Sequence, residues 1–371
     1  MREFIDGSTA IVRGALGAGC TFFAGYPITP ASPILSQMLA ELPKLGGTAI
    51  QAEDEIASIG MCLGAVMAGA RAMTATSGPG ISLYSETIGL AIMAELPLVI
   101  VDVQRMGPAT GGATTPAQGD IQFLRWGSSG GYPIIALAPS SVAECFGLTR
   151  RAFDLAERYR CPVFLVADKA LSSTRVSVEL PEAERWPVRE RSLATTESLA
   201  TAPYRYQPPE GVPPMRHFGA GRRLRVTGSS HDEWAFISKA PATVDALNRH
   251  LAAKIEAARD AIETVSLDLD PGARTLVIAY GVTAGALRDA LSLARQAGQR
   301  VSGVTVQSLW PLPRNAIRRA LQGIDRVVVA ELNLGQYRRE IERLAGTREV
   351  LGVHRVDGEL IRPEQILEAI R

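Results

Sequence analysis

The segment QAEDEIASIGMCLGAVMAGARAMTATSGPG, residues 51–80, joins a helix to a strand and to the loop that follows it. Three acidic residues open the segment, and apolar residues then recur at helical spacing. The short run AMTAT at 72–76 has the composition of a buried strand, and TSGPG follows it directly. Because strands that alternate with helices build parallel sheets, this stretch predicts an α/β fold.

Similar units lie on both sides of this segment. Up to about residue 170, short β-branched runs alternate with helical patterns, which is typical of a parallel sheet covered by helices on both faces. The predicted strands are 20–24, 48–52, 72–76, 98–103, 132–137 and 163–167. Four more runs predict a second, smaller α/β domain, with strands at 275–280, 301–306, 326–330 and 350–356.

A proline-rich stretch separates the two groups of strands. Seven prolines lie between Pro181 and Pro214, which predicts an extended connection over a surface. A helical stripe of apolar residues follows it, up to about residue 262. We therefore expect a first domain at 1–175, a connection with a helix at 176–268, and a second domain at 269–371.

Composition and charge exclude several classes of protein. The chain has 46% apolar and 21% charged residues, which indicates a globular fold. Lys+Arg 39 against Asp+Glu 38 gives a net charge of +1, so bulk charge predicts no binding of nucleic acid or of an anionic membrane. No apolar run reaches the roughly 18 residues of a spanning helix. The charged N-terminal segment lacks the apolar stretch of a secretory signal, which favours the cytoplasm.

Known sequence motifs are mostly missing. The glycines at 14–19 precede a strand and do not match the dinucleotide fingerprint, which argues against an NAD-dependent dehydrogenase. The run at 127–131 matches G-x-S-x-G but leads into a strand, so it does not predict a serine hydrolase. The cysteines contain no C-x-x-C pair, and the histidines have no ligand spacing, so we predict no metal site in this chain. The four cysteines are Cys20, Cys62, Cys145 and Cys161.

Polar residues follow four of the predicted strands. Ligands of open parallel sheets bind beyond the carboxyl ends of the strands, so these loops are the candidate site. They are GYPITP (25–30), EDE (53–55), TSGPG (76–80) and QRMGPATGG (104–112). Each loop also has a purely structural interpretation, since acids stabilise helix N-termini, Gly-Pro pairs make turns, and an arginine is commonly a solvated ion-pair partner.

The convergence of these loops favours a functional interpretation. Small residues recur along the helix that starts near Glu55, namely Ala57, Gly60, Gly64 and Ala68, so we expect another helix or chain to pack closely against it. A carboxylate at the head of such a helix would be partly desolvated and suited to acid–base chemistry.

Several motifs together resemble the alpha subunits of 2-oxoacid:ferredoxin oxidoreductases, most closely the 2-oxoglutarate type. These motifs are GYPITPAS (25–32), the segment at 51–80, VDVQRMGPATG (101–111), PAQGD (116–120), VTGSSHDEWAF (226–236), SLWPLP (308–313) and AELNLGQY (330–337). They cover nearly the whole chain. The resemblance implies a pyrimidine-binding domain of the thiamine diphosphate enzymes, followed by a domain like the C-terminal domain of transketolase.

The resemblance also implies cofactors and partners. Thiamine diphosphate would be shared with a beta subunit, and that subunit would carry Mg²⁺ and the iron–sulfur cluster, since this chain has neither the G-D-G signature nor the cluster cysteines. Ferredoxin would accept the electrons, coenzyme A would take the acyl group of the 2-oxoacid, and a second alpha–beta pair would complete the assembly.

Individual roles follow from the same resemblance. Glu55, rather than Glu53, matches the glutamate that bonds N1′ of the aminopyrimidine and so helps to make the thiazolium C2 nucleophilic. Thr29 and Arg105 match residues that hold the 2-oxoacid, and a guanidinium suits a planar carboxylate. The expected cofactor contacts are Tyr26, Pro27, Ile28, Glu55, Ser77 and Gly78. The expected substrate contacts are Thr29, Arg105, Gly107 and Thr110, and the expected catalytic residues are Glu55, Arg105 and Thr29.

Two departures from the family pattern leave alternatives open. Ser129-Gly130-Gly131 stands where His-Gly-Asp is expected, and Ala113 replaces a proline. A branched-chain or aryl 2-oxoacid is therefore an alternative substrate. Arg125 is a candidate for the second clamp that a dicarboxylate needs. A catalytically inactive scaffold is the non-enzymatic alternative, against which the presence of Thr29, Glu55 and Arg105 together argues.

Overall fold

The computed structural model describes residues 2–180, 187–195, 201–221 and 223–371. Its strands are β1 (Arg2–Ile5), β2 (Phe22–Gly25), β3 (Thr48–Gln51), β4 (Ala72–Thr76), β5 (Leu98–Gln104), β6 (Ile135–Leu137), β7 (Pro162–Asp168), β8 (Val176–Glu179), β9 (Val265–Asp268), β10 (Thr275–Tyr280), β11 (Val301–Val306), β12 (Ser308–Trp310), β13 (Arg326–Glu331) and β14 (Glu349–His354). Its helices are α1 (Gly7–Gly17), α2 (Ser32–Glu41), α3 (Glu55–Met67), α4 (Gly78–Met93), α5 (Ile121–Trp126), α6 (Val142–Tyr159), α7 (Lys169–Ser173), α8 (Pro241–Glu256), α9 (Arg259–Ile262), α10 (Thr283–Gln296), α11 (Arg314–Ala320), α12 (Arg338–Ala345) and α13 (Pro363–Ile370).

The larger sheet has seven strands in the order β12-β6-β7-β5-β4-β2-β3. Its neighbouring strands are parallel except β12 with β6, which confirms the predicted mostly parallel sheet. The strand order reverses at β2, which has β3 on one side and β4 on the other. β2 and β4 pair only at Phe22–Ala72 and Phe23–Met73, so no pairing joins their carboxyl ends. Open α/β sheets bind ligands at such a reversal.

Helices cover both faces of this sheet, as predicted. Val99, Val101 and Val103 of β5 belong to the core that contains the apolar faces of α1 and α6. Leu98 and Ile100, on the opposite face of β5, belong to the core of α3 and α4. That second core continues into the sheet of the smaller domain, so the two sheets share one apolar interior.

The smaller sheet has five strands in the order β14-β13-β10-β11-β9, parallel except for β9. It confirms the second α/β domain. Because β9 already pairs with β11, we propose that this domain begins near residue 265 rather than 269. β12 follows β11 in the chain but pairs with β6, so it forms the edge strand of the larger sheet.

The sequence patterns did not predict four strands. β1, β8, β9 and β12 have only three or four residues each, too few for a period to appear. The first residues of the predicted connection are the strand β8, which pairs antiparallel with β1. Other parts of that connection, at 181–186, 196–200 and 222, lie outside the described residues. None of the described helices is both long and apolar enough to cross a membrane.

A buried ion cluster attaches α8 to the first domain. The carboxylate of Glu95, which follows α4, accepts hydrogen bonds from Lys254 Nζ at 2.8 Å and His250 Nε2 at 3.0 Å. Burial would raise the pKa of Glu95, but the charge of Lys254, the hydrogen bond from His250 and the charge of Arg160 together hold it well below its usual value. The connection is thereby fixed to the core by a paired carboxylate.

Candidate active site

The three acids before α3 have different environments. Glu53 and Asp54 are exposed, whereas Glu55 is the first residue of the helix and only 7% exposed. Asp54 is the N-cap, and its carboxylate accepts the N–H of Ala57 at 2.7 Å. The structural interpretation therefore applies to Asp54. Glu55 is the acid that is enclosed next to the loop after β4.

The TSGPG loop packs closely on Glu55. A Cβ atom on Gly80 would lie 2.9 Å from Cγ of Glu55 and would overlap the hydroxyl of Thr76, so only glycine fits there. Ser77 is the N-cap of α4, and its hydroxyl is buried without a hydrogen-bond partner among the described residues. Within the same residues, no donor reaches the carboxylate of Glu55. An aminopyrimidine would fit this pattern, because its ring nitrogen, once protonated, can donate a hydrogen bond to the carboxylate.

Arg105 joins the loops after β2 and β5. Its Nη1 donates to the main-chain oxygen of Thr29 at 2.5 Å, and its Nη2 donates to that of Thr110 at 3.1 Å. The side chain is only 7% exposed, and its Nε is buried without a partner. Across the described residues no carboxylate forms an ion pair with it. Arg105 is thus a buried cation that neutral carbonyl groups orient.

A cavity of about 190 Å³ lies beside this guanidinium. Its lining includes Gly78, Ser82, Arg105, Gly107, Ala109 and Asp120. The other predicted site residues belong to the loops after β2 and β5. Tyr26, Pro27, Thr29 and Thr110 are exposed, and Ile28 is half-buried. The loops that the sequence singled out therefore converge at one edge of the sheet.

The sequence analysis missed two carboxyl groups at this edge. Asp102, on β5, is fully buried, and its carboxyl group lies close to that of Asp120, which precedes α5 and whose N–H donates to Oε1 of Gln104, two residues further along β5, at 3.1 Å. Burial and the negative charge of Asp120 raise the pKa of Asp102 well above its usual value. Burial also raises the pKa of Asp120 to about 6, although Asp102 and Arg105 oppose that change. A charged residue inside the apolar run LVIVDV was the sequence signal for this pair.

The second domain holds the segment that carries Asp120. Asn333 Nδ2 donates to the main-chain oxygen of Gln118 at 2.7 Å, and Gln336 Nε2 donates to that of Gly119 at 2.7 Å. The side-chain oxygen of Gln118 accepts the N–H of Leu332 at 3.1 Å. The motifs PAQGD and AELNLGQY therefore bind each other and fix the position of Asp120.

Arg125 is used in a different way. Its Nη1 donates to the main-chain oxygens of Gly131 at 3.2 Å and Tyr132 at 2.9 Å, and the guanidinium lies 3.9 Å from the ring centre of Trp126. Burial lowers the pKa of Arg125. Ser129 and Gly130, in the loop that it supports, line a second cavity of about 520 Å³ against α4. The structure gives Arg125 a role in holding this loop.

The cysteines are free and buried. Burial raises the pKa of Cys20 and of Cys161 to about 12, so these thiols stay protonated and unreactive. Within the described residues, no group of three or more His, Cys, Asp or Glu side chains could hold a metal ion.

Comparisons with known proteins agree with this architecture. Residues 13–249 match the family described as "Pyruvate flavodoxin/ferredoxin oxidoreductase, thiamine diP-bdg", which confirms the predicted thiamine diphosphate-binding domain. Residues 273–366 match "Pyruvate:ferredoxin oxidoreductase core domain II".

Two relatives and one solved structure are similar over nearly the whole chain. A 2-oxoglutarate synthase subunit KorA of Methanothermobacter thermautotrophicus is 43% identical over 99% of this chain and 97% of its own length. A ketoisovalerate oxidoreductase subunit VorB of the same organism is 36% identical over 100% of this chain and 97% of its own length. The 2-oxoglutarate:ferredoxin oxidoreductase of Magnetococcus marinus, solved with 2-oxoglutarate, coenzyme A and succinyl-CoA, has a TM-score of 0.94 at 31% identity, and the match covers 100% of this chain and 64% of that one. The matched domains, the full-length relatives and the shared fold show that this chain belongs to the 2-oxoacid:ferredoxin oxidoreductase family.

Proposed function

We propose that this chain is the alpha subunit of a 2-oxoglutarate:ferredoxin oxidoreductase. The reaction converts 2-oxoglutarate and coenzyme A to succinyl-CoA and CO₂ and passes two electrons, one at a time, to ferredoxin. The observation that supports this most is Arg105, a buried cation without an ion-pair partner among the described residues, at the sheet edge where ligands bind. An anionic substrate could bind the N–H groups of the guanidinium that the carbonyls of Thr29 and Thr110 leave free.

Glu55 is proposed to bond N1′ of the aminopyrimidine. When bound, thiamine diphosphate supplies the nucleophilic carbon that adds to the keto group and the electron sink that accepts the electrons left by CO₂. The carboxylate of Glu55 can hold and return the ring proton, because burial places it in a site of low polarity next to the backbone of the TSGPG loop. Ser77 and Gly78 of that loop, with Tyr26, Pro27 and Ile28, are the proposed remaining contacts of the cofactor.

Arg105 and Thr29 are proposed to orient the 2-oxoacid. The two Nη atoms already donate to carbonyl groups, but each carries a second N–H, and these two N–H groups can bind one carboxylate. The exposed hydroxyl of Thr29 lies in the same loop contact and can donate to the keto oxygen. Gly107 and Thr110 are the proposed further contacts of the substrate.

A beta subunit is proposed to complete the site. It would grip the diphosphate through Mg²⁺ and carry the iron–sulfur cluster that passes electrons to ferredoxin, and a second alpha–beta pair would complete the assembly. The open face of α3 supports a partner, because a Cβ atom on Gly60 or Gly64 would meet no heavy atom within 4 Å. The free cysteines are consistent with a reducing compartment, and we propose the cytoplasm.

The test is reconstitution. This chain should show no iron–sulfur absorbance and no turnover when purified alone, because its buried, protonated cysteines cannot ligate a cluster. Co-expression with a beta subunit should give reduction of ferredoxin that depends on 2-oxoglutarate, coenzyme A and thiamine diphosphate together. A stoichiometric iron–sulfur cluster in the isolated chain would contradict the proposal that the beta subunit carries the cluster. An assembled complex without turnover of any 2-oxoacid would favour the inactive scaffold.

A further inference from the structure

Asp102 and Asp120 form a carboxyl pair at the edge of the Arg105 cavity. Asp102 lies on the face of β5 that also carries Leu98 and Ile100, so its carboxyl group interrupts an apolar surface and is fully buried. Asp120 lines the cavity. The pair thus connects the buried sheet to the space where a substrate would bind.

The hydrogen bonds of this pair are incomplete without a proton. Both oxygens of Asp102 and Oδ2 of Asp120 are buried and receive no hydrogen bond from the described residues. Two ionised carboxylates in contact repel each other strongly in a site of low polarity. One proton between them removes the repulsion and supplies the missing donor, so the pair titrates as a unit.

The charged groups around the pair do not replace that proton. Arg105 is the cation beside it, but its Nη atoms donate to carbonyl oxygens. Asp168, at the end of the neighbouring strand β7, already accepts the N–H groups of Leu171 and Val282. Glu55, at the head of α3, adds a further negative charge to the same edge of the sheet. With one proton, the pair and Arg105 have a summed charge of zero, and with none the sum is −1.

We propose that Asp102 and Asp120 share one proton in the substrate-free protein and take up a second one from solvent when a carboxylate binds at Arg105. The inference rests on the proposed function, since it takes an anionic 2-oxoacid as the ligand. Uptake of the proton offsets the negative charge that the substrate brings, and binding therefore strengthens as the pH falls. Asp120 is a positioning residue, because it acts on the substrate through its charge next to Arg105.

Proton uptake can be measured directly by calorimetry on the reconstituted complex. Glutarate is the probe, because it carries carboxylates but no keto group to react, and carboxyl groups with pKa values of about 4 to 5 are ionised at about pH 7. Titrations in buffers of different ionisation enthalpy give the number of protons bound. We expect uptake on the order of half a proton or more near pH 7, and affinity that weakens up to about tenfold for each rise of one pH unit.

Matched variants separate this effect from a structural one. Asp120→Asn and Asp102→Asn each keep the shape of the pair but remove its second titration, so proton uptake and the pH dependence of glutarate affinity should both disappear. Glu86→Gln removes an exposed carboxylate of α4 and should leave both unchanged. If the variants fail to fold, the wild-type measurement alone still tests the proposal.

The outcomes for this inference and for the proposed function are distinguishable. Glutarate binding without proton uptake in the wild-type complex would overturn the inference and leave the proposed function intact. Proton uptake with glutarate, but no turnover of 2-oxoglutarate, would support the pair and contradict the proposed substrate. Absence of both glutarate binding and turnover would overturn both.

Discussion

The guanidinium of Arg105 donates a 2.5 Å hydrogen bond to the main-chain oxygen of Thr29, which lies 76 residues earlier in the chain. This bond joins the loops that follow β2 and β5, the two strands on either side of β4. A second bond, of 3.1 Å, reaches the main-chain oxygen of Thr110. Neutral oxygens therefore set the direction of the cation, and its remaining N–H groups are free for a ligand.

Arg105→Lys should impair the reconstituted enzyme almost as much as Arg105→Ala. An ammonium group cannot hold the carbonyls of Thr29 and Thr110 and also present two parallel N–H groups to a carboxylate. We expect kcat/KM for the 2-oxoacid to fall by about 100-fold or more, because charge-assisted hydrogen bonds contribute about 1.5–3 kcal/mol each. Steady-state kinetics measure this, with thiamine diphosphate affinity expected to stay the same.

The exposed Arg249 offers a matched control for that experiment. Its guanidinium bonds Asp245 on the same helix, so Arg249→Lys should leave kcat/KM within about twofold, as expected for a surface ion pair. A wild-type KM in Arg105→Lys would show that the 2-oxoacid binds elsewhere.

Glu55→Gln should leave the complex assembled and abolish turnover. The amide has the same shape but cannot exchange a proton with N1′ of the aminopyrimidine, and the loss of acid–base catalysis costs about 10²- to 10⁴-fold. Glu53→Gln is the control, since Glu53 is exposed and should be nearly neutral. Hydrogen–deuterium exchange at C2 of bound thiamine diphosphate measures the step. If Glu53→Gln abolished turnover and Glu55→Gln did not, the residue that bonds N1′ would be Glu53 instead.

The sequence predicted which loops meet at this edge of the sheet, for a physical reason. β2, β4 and β5 are short apolar runs that end in Gly, Pro or polar residues, and parallel strands bring their carboxyl ends to the same edge. Glu55 is buried because Gly80 lets the TSGPG loop pack against it, whereas a Cβ atom on the small residues Gly60 and Gly64 would meet no heavy atom within 4 Å. Local patterns were enough wherever the strand, the turn and the proposed site residue are contiguous.

Contacts between distant segments could not be predicted in this way. β12 reaches the larger sheet from the second domain, and its three residues have no period to recognise. The contact between Asp102 and Asp120 depends on the hydrogen bonds that Asn333 and Gln336 make to the segment before α5. Such relationships follow from tertiary packing between segments more than 170 residues apart, and only the charge inside the apolar strand β5 indicated one of them.

Glu95→Gln should lower the free energy of unfolding by about 3–5 kcal/mol near pH 7, because it leaves buried Lys254 without its counter-ion. The native structure holds the pKa of Glu95 below its unfolded value of 4.5, so its stabilisation is present above pH 4.5 and is lost as the pH falls below that value. Denaturant titrations at several pH values measure the difference between wild type and variant, which should shrink in acid. Asp245→Asn, at an exposed helical ion pair, should leave the free energy of unfolding nearly unchanged. If the difference in the free energy of unfolding did not change with pH, ionisation of Glu95 would not be its cause.

The reconstituted complex should prefer 2-oxoglutarate to pyruvate, 2-oxoisovalerate and phenylglyoxylate. A preference of about 100-fold in kcat/KM corresponds to about 2.7 kcal/mol of transition-state stabilisation, which one well-bound second carboxylate can supply. Competition assays with coenzyme A and ferredoxin measure the ratios directly.

The second carboxylate of 2-oxoglutarate needs its own binding residue, for which Arg125 was the candidate from the sequence. Arg125 holds the main-chain oxygens of Gly131 and Tyr132, so Arg125→Lys should disturb the loop before it changes substrate selection. That variant should therefore lower kcat/KM for all four acids alike, by a factor that does not depend on the side chain of the substrate. A loss of kcat/KM for 2-oxoglutarate alone would instead indicate that Arg125 binds its second carboxylate. If the wild type prefers a branched or aryl 2-oxoacid, the 2-oxoglutarate assignment is wrong. Ala113 and Ser129 are then the first positions to substitute. The proposed roles of Glu55 and Arg105 are unaffected by that outcome.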